Sequence, residues 1–176
     1  MMMDPAIDLT IRAALALLFA VAATHKLRDM AAFRGTFADY RLLPDAAAWA
    51  VPAAEAAVAL LLVAAATSAI GKAGAVALLV AYAAAIGVNL ARGRRHIDCG
   101  CAGPHARRPI GAGLVVRNAL LATVALGALA PVHARPLVWI DALTVSGAVL
   151  ALAALYLAAD RLMAYAPAIA RLREAA

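Results

Sequence analysis

The chain alternates between long apolar blocks and shorter polar interruptions. Five blocks stand out, at about residues 7–26, 47–70, 73–91, 111–131 and 137–159. Each holds roughly the 20 mostly apolar residues that a helix needs to cross the hydrocarbon core of a bilayer. None shows the strict apolar–polar alternation of a strand. Backbone exposed to lipid must satisfy its own hydrogen bonds, which only helices and closed barrels do. The pattern therefore predicts an all-α integral membrane protein, a single domain of about five transmembrane helices. Two interruptions, IGKAG at 70–74 and PVHARP at 131–136, are short and read as tight turns. The other two, near 27–46 and 92–110, are longer and polar. The first of these places Met30, Phe33, Phe37 and Tyr40 on one helical face. That spacing predicts a short helix lying on the membrane surface.

Composition agrees with this reading. Apolar residues make up 66% of the chain and charged residues 15%, against about 25% charged in soluble domains. Mean hydropathy is +0.89. Alanine supplies much of the apolar total, so a soluble helix bundle is the alternative. Net charge is +6, which in a soluble protein points to nucleic acid. Here no basic aromatic module accompanies the arginines, and they lie between apolar blocks. They read as orientation signals in a lipid bilayer, and no nucleic-acid partner is expected. The N-terminal segment carries Asp4 and Asp8 where a secretory signal has a basic region. It reads as a retained first span.

Placing the loops on alternate sides sorts the 16 basic residues sharply. One side receives Arg12, Lys72 and Arg135. The other receives Lys26, Arg28, Arg34, Arg41, Arg92, Arg94, Arg95, Arg107, Arg108, Arg117, Arg161, Arg171 and Arg173. Basic residues near span ends stay in the cytoplasm. Both long loops and the C-terminus are therefore expected inside, and the N-terminus outside.

The 92–110 loop holds both cysteines of the chain, Cys99 and Cys101, separated by Gly100. A structural staple is a poor explanation, because so small a ring removes little unfolded-state entropy and strains the bond. Strained disulfides are easily reduced, as a redox pair requires. Arg94, Arg95, Arg107, Arg108, His96 and His105 lie nearby, and positive charge favours thiolate. Asp98 is placed to accept or pass a proton, although its charge opposes thiolate formation. Two other readings stay open. His96, Cys99, Cys101 and His105 supply enough ligands for a metal site, with a spacing unlike common zinc modules. The thiols are otherwise inert.

Ionisable and polar residues inside spans are costly and point to function. Glu55 lies roughly 13 Å into the second span at the helical rise, with Lys26 and Arg117 as its candidate partners. His25 and Lys26 close the first span, Asn89 ends the third, and Arg117 and Asn118 lie early in the fourth. On the expected topology all of these share one membrane face with the cysteines. Singly, each has a plainer reading as a snorkelling or helix-joining residue. Asp141 and Asp160 read as interfacial.

In order along the chain stand His25-Lys26, the YRLLP of 40–44, Pro52-x-x-Glu55, Asn89-x-x-Arg92-Gly93-Arg94, Asp98-Cys99-Gly100-Cys101-x-Gly103 and Arg117-Asn118. This series resembles the MauE family within the wider DoxX-like membrane proteins, over about residues 10–125. The resemblance implies a four-helix DoxX-like core and a bacterial inner-membrane location. It also implies a thiol–disulfide relay that matures disulfides of a periplasmic partner, such as methylamine dehydrogenase, with a thioredoxin-like or disulfide-isomerase-like partner. Carried over by motif, Cys99 and Cys101 are the redox pair. His25, Lys26, Glu55, Asn89, Asp98, Arg117 and Asn118 are supporting positions. A quinone is the cofactor to be considered. The alternatives are a quinone-linked DoxX-type oxidoreductase subunit and a non-enzymatic assembly or transport protein.

Overall fold

The computed structural model describes residues 2–100 and 109–174. They form six α-helices: α1 (Pro5–Arg28), α2 (Met30–Tyr40), α3 (Ala50–Val63), α4 (Ser68–Ala91), α5 (Ala112–Gly127) and α6 (Trp139–Glu174). Short 3-10 turns at Asp45–Trp49 and Ala65–Thr67 lead into α3 and α4. Among the described residues there is no β-strand, only isolated bridges between Met3 and Val132 and between Asp98 and Pro109. The protein is an all-α membrane bundle. Helices over Pro5–Arg28, Asp45–Val63, Ala65–Ala91 and Trp139–Leu162 are long and apolar enough to cross a membrane. α5 has 16 residues and rises about 24 Å at the helical pitch.

α1, α3, α4 and α5 enclose the core. Leu15 and Phe19 from α1 meet Val58, Ala59 and Leu62 from α3, Ala75 and Leu79 from α4, and Ala122 and Ala125 from α5. The alanines let the helices approach closely, which is how helices associate where lipid removes the hydrophobic drive. Many other large apolar side chains turn outward. Leu60, Ile70, Leu120, Leu143, Leu150 and Leu155 are all more than half exposed, as lipid-facing positions should be. α6 lies along α1, outside this core.

The second and third spans do not meet at 70–74. α3 ends at Val63, and the chain turns through Ala64–Thr67. Thr67 Oγ1 donates to the Leu61 carbonyl at 2.9 Å, and Ser68 Oγ donates to that of Ala65 at 2.9 Å. The glycines read as turn residues lie inside α4 and serve packing. A Cβ at Gly71 would sit 2.8 Å from the Leu62 backbone nitrogen, and one at Gly74 would sit 2.8 Å from Val58 Cγ2. These two contacts are the close crossing of α4 over the end of α3.

The three basic residues at this end are not loop signals either. Arg12 is buried and donates to the last carbonyls of α3, Nε to Leu62 at 2.9 Å and Nη2 to Val63 at 2.8 Å. A cation there meets the negative end of the helix dipole. Lys72 is buried as well and pairs with Asp8 at 2.5 Å; Asp8 also faces Arg12 at 3.5 Å. Arg135 bridges Asp4 and Asp141 with four hydrogen bonds of 2.7–2.9 Å. Its guanidinium, followed by the Ala6 amide, holds the Asp4 carboxyl below its usual range. Met3 pairs with the 131–133 segment through Met3 N to Pro131 O and His133 N to Met3 O. The N-terminus and the α5–α6 connection are thereby clasped together.

Candidate functional site

The opposite end of the bundle collects the C-termini of α1 and α4, the N-termini of α3 and α5, the surface helix α2 and the cysteine loop. α2 forms because Asp29 caps it, its carboxylate accepting the Ala32 amide at 3.0 Å. Its covered positions are Met30, Phe33, Phe37 and Tyr40, joined by Thr36 and Ala38, while Arg34 and Asp39 are exposed. The amphipathic face read from the sequence is the face that is partly covered.

The cysteine loop leaves α4 through Gly93 (φ 74°) and returns to α5 through Pro109. Its two ends are tied by Ile110 N donating to Ile97 O at 2.9 Å. Ile97 and Ile110 are buried with Ile86 and Leu114, and Cys99 packs against this cluster. Gly100 has φ 69°, a left-handed conformation that favours glycine, and its amide donates to Asp98 Oδ1 at 3.2 Å. A Cβ at Gly100 would lie 3.1 Å from Thr36 Cγ2 and 3.8 Å from the Phe33 ring. The residue between the cysteines is thus seated on α2. Cys101, His105, Arg107 and Arg108 lie outside the described residues.

Beneath α2 is a buried ion pair. Lys26 Nζ donates to Glu55 Oε1 at 2.7 Å, with side chains 6% and 1% exposed. Tyr82 of α4 donates its hydroxyl to the same oxygen at 2.8 Å. The ammonium lies 5.5 Å from the centre of the Phe33 ring and 5.9 Å from that of Tyr82, within cation–π range. Glu55 Oε2 is buried with no hydrogen-bond partner among the described residues, and so is His25 Nδ1. One ring, Phe33, therefore touches both the charge pair and the glycine of the thiol turn.

The other expected residues divide. Asn89 is fully buried; its amide donates to the Ala85 carbonyl at 3.1 Å, and its Oδ1 accepts from Arg94 at 2.9 Å. Arg94 also donates to the last carbonyls of α2, to Asp39 O at 2.6 Å and Tyr40 O at 3.3 Å. Asn118 is buried and donates to Leu114 O in its own helix at 2.8 Å. Arg117 turns to α6, pairing with Asp160 at 3.2 Å and lying 5.5 Å from the Tyr156 ring. Of the two partners considered for Glu55, Lys26 is the one that pairs. Asp160, read as interfacial, is a part-buried partner of Arg117. His96 and Arg95 are exposed. Among the described residues no three metal-ligating side chains cluster; of the four suggested metal ligands, Cys101 and His105 lie outside them.

Tyr82 was not singled out from the sequence, Phe33 was read only as part of the apolar face of α2, and Arg94 only as a charge near the thiols and a member of the motif series. Tyr82 stands two helical turns before Asn89, so its place on the same face of α4 was legible. Arg94 stands among five other charged residues of the loop, Arg92, Arg95, Asp98, Arg107 and Arg108, and local sequence does not tell its clamping role from a solvated charge.

The comparisons with known proteins agree with one another. The family model described as "Methylamine utilisation protein MauE" matches residues 4–131, which covers α1 to α5. A "Methylamine utilization protein MauE" of Paracoccus denitrificans is 40% identical over 129 residues, 71% of this chain and 69% of the relative. One of Paracoccus versutus is 43% identical over 131 residues, 72% of this chain and 70% of the relative. One of Methylophilus methylotrophus is 34% identical over 175 residues, 94% and 90% of the two chains, so that match continues through α6. No solved structure matches the chain.

Proposed function

Because the chain belongs to the methylamine utilisation protein MauE family, we propose that it is a membrane thiol–disulfide relay serving methylamine utilisation. The relay acts in the bacterial inner membrane, and Cys99 and Cys101 are its redox pair. The observation that carries this reading is the turn between the cysteines. Gly100 takes a left-handed conformation, packs on α2, and holds the thiol-bearing segment at the polar end of an otherwise apolar bundle. A disulfide across one residue is strained, and strained disulfides exchange readily.

The chemistry is two exchanges. A thiolate of a donor dithiol attacks one sulfur of the Cys99–Cys101 disulfide; the S–S bond breaks and a mixed disulfide forms. The donor's second thiolate resolves it, leaving the donor oxidised and both cysteines reduced. Two electrons and two protons have then passed to the protein. In the second exchange a cysteine thiolate attacks a disulfide of a thioredoxin-like partner, and the pair is oxidised again. That partner reaches into the membrane domain from the extracytoplasmic side to meet the pair and carries the equivalents to a client of the methylamine dehydrogenase type there. Lys26, Glu55, Asn89 and Asp98 support the site, with Arg117, Asn118 and His25 at the same level of the bundle. The Lys26–Glu55 pair and Phe33 hold the floor on which the turn rests.

The reading is tested by trapping the pair in cells with an alkylating reagent, with and without reductant, beside a Cys99→Ser variant. The expected result is a reversible shift between oxidised and alkylated forms, and loss of client maturation in Cys99→Ser. Thiols that never oxidise, or full maturation without Cys99, would remove the relay.

A further inference from the structure

The arginine in the segment before the cysteines suits a different task from the electrostatic one its neighbourhood suggests. Arg94 is half-buried, and its guanidinium reaches three acceptors at once: Asn89 Oδ1 at 2.9 Å, Asp39 O at 2.6 Å and Tyr40 O at 3.3 Å. Asn89 belongs to α4, whereas the two carbonyls are the C-terminal end of α2. That end lacks a glycine cap; Arg41 itself takes φ 50° there, so the carbonyls gain from a fixed cation. Six residues further along, Gly100 lies against Phe33 and Thr36, a helical turn earlier on α2. The loop therefore meets α2 at two points, one a charged clamp and the other a glycine seat. Between them runs Ile97, which is buried.

We propose that Arg94 is a positioning residue of the thiol site: by clamping α2 to Asn89 of α4 it fixes the surface on which Gly100 sits, and so limits the access of reagents to Cys99. The proposal rests on the reading that Cys99 and Cys101 are the reactive pair, and it assigns Arg94 no contact with sulfur. A planar guanidinium spans three acceptors of this geometry, whereas a lysine ammonium satisfies fewer of them. Asn89 keys the clamp, because its own amide is already committed to Ala85 and its Oδ1 is turned to Arg94.

The test uses the full chain in native membranes with Cys101→Ser, so that Cys99 is its single thiol, and follows iodoacetamide alkylation against pH. Arg94→Ala should raise the plateau rate about tenfold, by releasing hydrogen bonds to a charged donor, while the pH midpoint stays in place. Arg94→Lys should raise it by a smaller factor. Asn89→Leu, which removes the acceptor, should behave as Arg94→Ala does. Gly100→Ala, which strains the seat itself, should also speed alkylation. An unchanged plateau in Arg94→Ala overturns the proposal. So does a midpoint that rises in Arg94→Ala and is restored by Arg94→Lys, since that marks charge stabilisation of the thiolate. If Arg94→Ala does not accumulate, the plateau of Arg94→Lys decides, and an unchanged value overturns the proposal. Full client maturation in Cys99→Ser would remove the relay yet leave these rates standing, because they report on Cys99 itself.

Discussion

Lys26 and Glu55 are the most deeply buried pair of opposite charges at the thiol end, and their energetics follow from burial. Separating them leaves one charge without its partner in a medium that solvates it poorly. Losing a single member of a buried pair costs about 3–5 kcal/mol, whereas replacing both by apolar residues of similar volume is often near neutral. Lys26→Met and Glu55→Leu should therefore each lower the thermal midpoint strongly in detergent. The double variant should recover most of the loss. A double variant as unstable as the two losses added together would show that the residues act independently. Tyr82 offsets part of the loss in the Lys26 variant, since its hydroxyl already donates to Glu55 Oε1. The presence of a buried acid in the second span was legible in the sequence. Its choice of Lys26 over Arg117 was not, because both lie at the same level and only the helix azimuths separate them.

At the scale of elements, the α3–α4 crossing is the place where the pattern misled. Glycines around a lysine in an apolar run look like a turn, which puts the expected helix boundary there. The break comes earlier, at Ala64–Thr67, where the hydroxyls of Thr67 and Ser68 satisfy carbonyls at the end of α3 and in the turn that follows. Gly71 is then needed for contact. Gly71→Ala should push α4 off the Leu61–Leu62 backbone and cost about 1–3 kcal/mol as an overpacked site. Gly87→Ala, in the same helix with nothing within 4 Å of its added Cβ, should be neutral or gain about 0.4–1 kcal/mol. Thermal unfolding of the two variants side by side checks this; equal effects would mean that the crossing tolerates a methyl group. α2 is the contrary case. Its apolar spacing marked both its existence and the face that is partly covered, because a period of 3.6 residues survives any placement of the helix.

For the whole molecule, the asymmetry of basic residues becomes sharper once the fold is known. At the end holding the N-terminus, Arg12 and Lys72 are internal and share Asp8, and Arg135 is held by Asp4 and Asp141. Little positive charge is left there for the membrane surface. At the thiol end Arg28, Arg34, Arg41, Arg92 and Arg95 remain exposed. Retention of such residues on the cytoplasmic side predicts a cytoplasmic thiol end. With His133→Cys in a chain otherwise free of cysteine, an impermeant maleimide should label intact spheroplasts. The chain with Cys99 alone should label only after permeabilisation. The reverse pattern would place the thiols outside, directly beside an extracytoplasmic partner.

Hydrophobic periodicity and composition by themselves determined that the protein is an all-α membrane bundle and marked the short helix α2, although the break between α3 and α4 falls earlier than the pattern indicated. These follow from transfer free energies and helical repeat, which are properties of local sequence. The tertiary structure alone decided which polar groups meet. It paired Lys26 with Glu55 and Tyr82, sent Arg117 to Asp160, drew Arg12 and Lys72 inside, and turned Arg94 from a loop charge into a clamp. Such choices depend on the rotation of each helix about its axis and on gaps left by glycine and alanine. Residues far apart in the chain set both of these together.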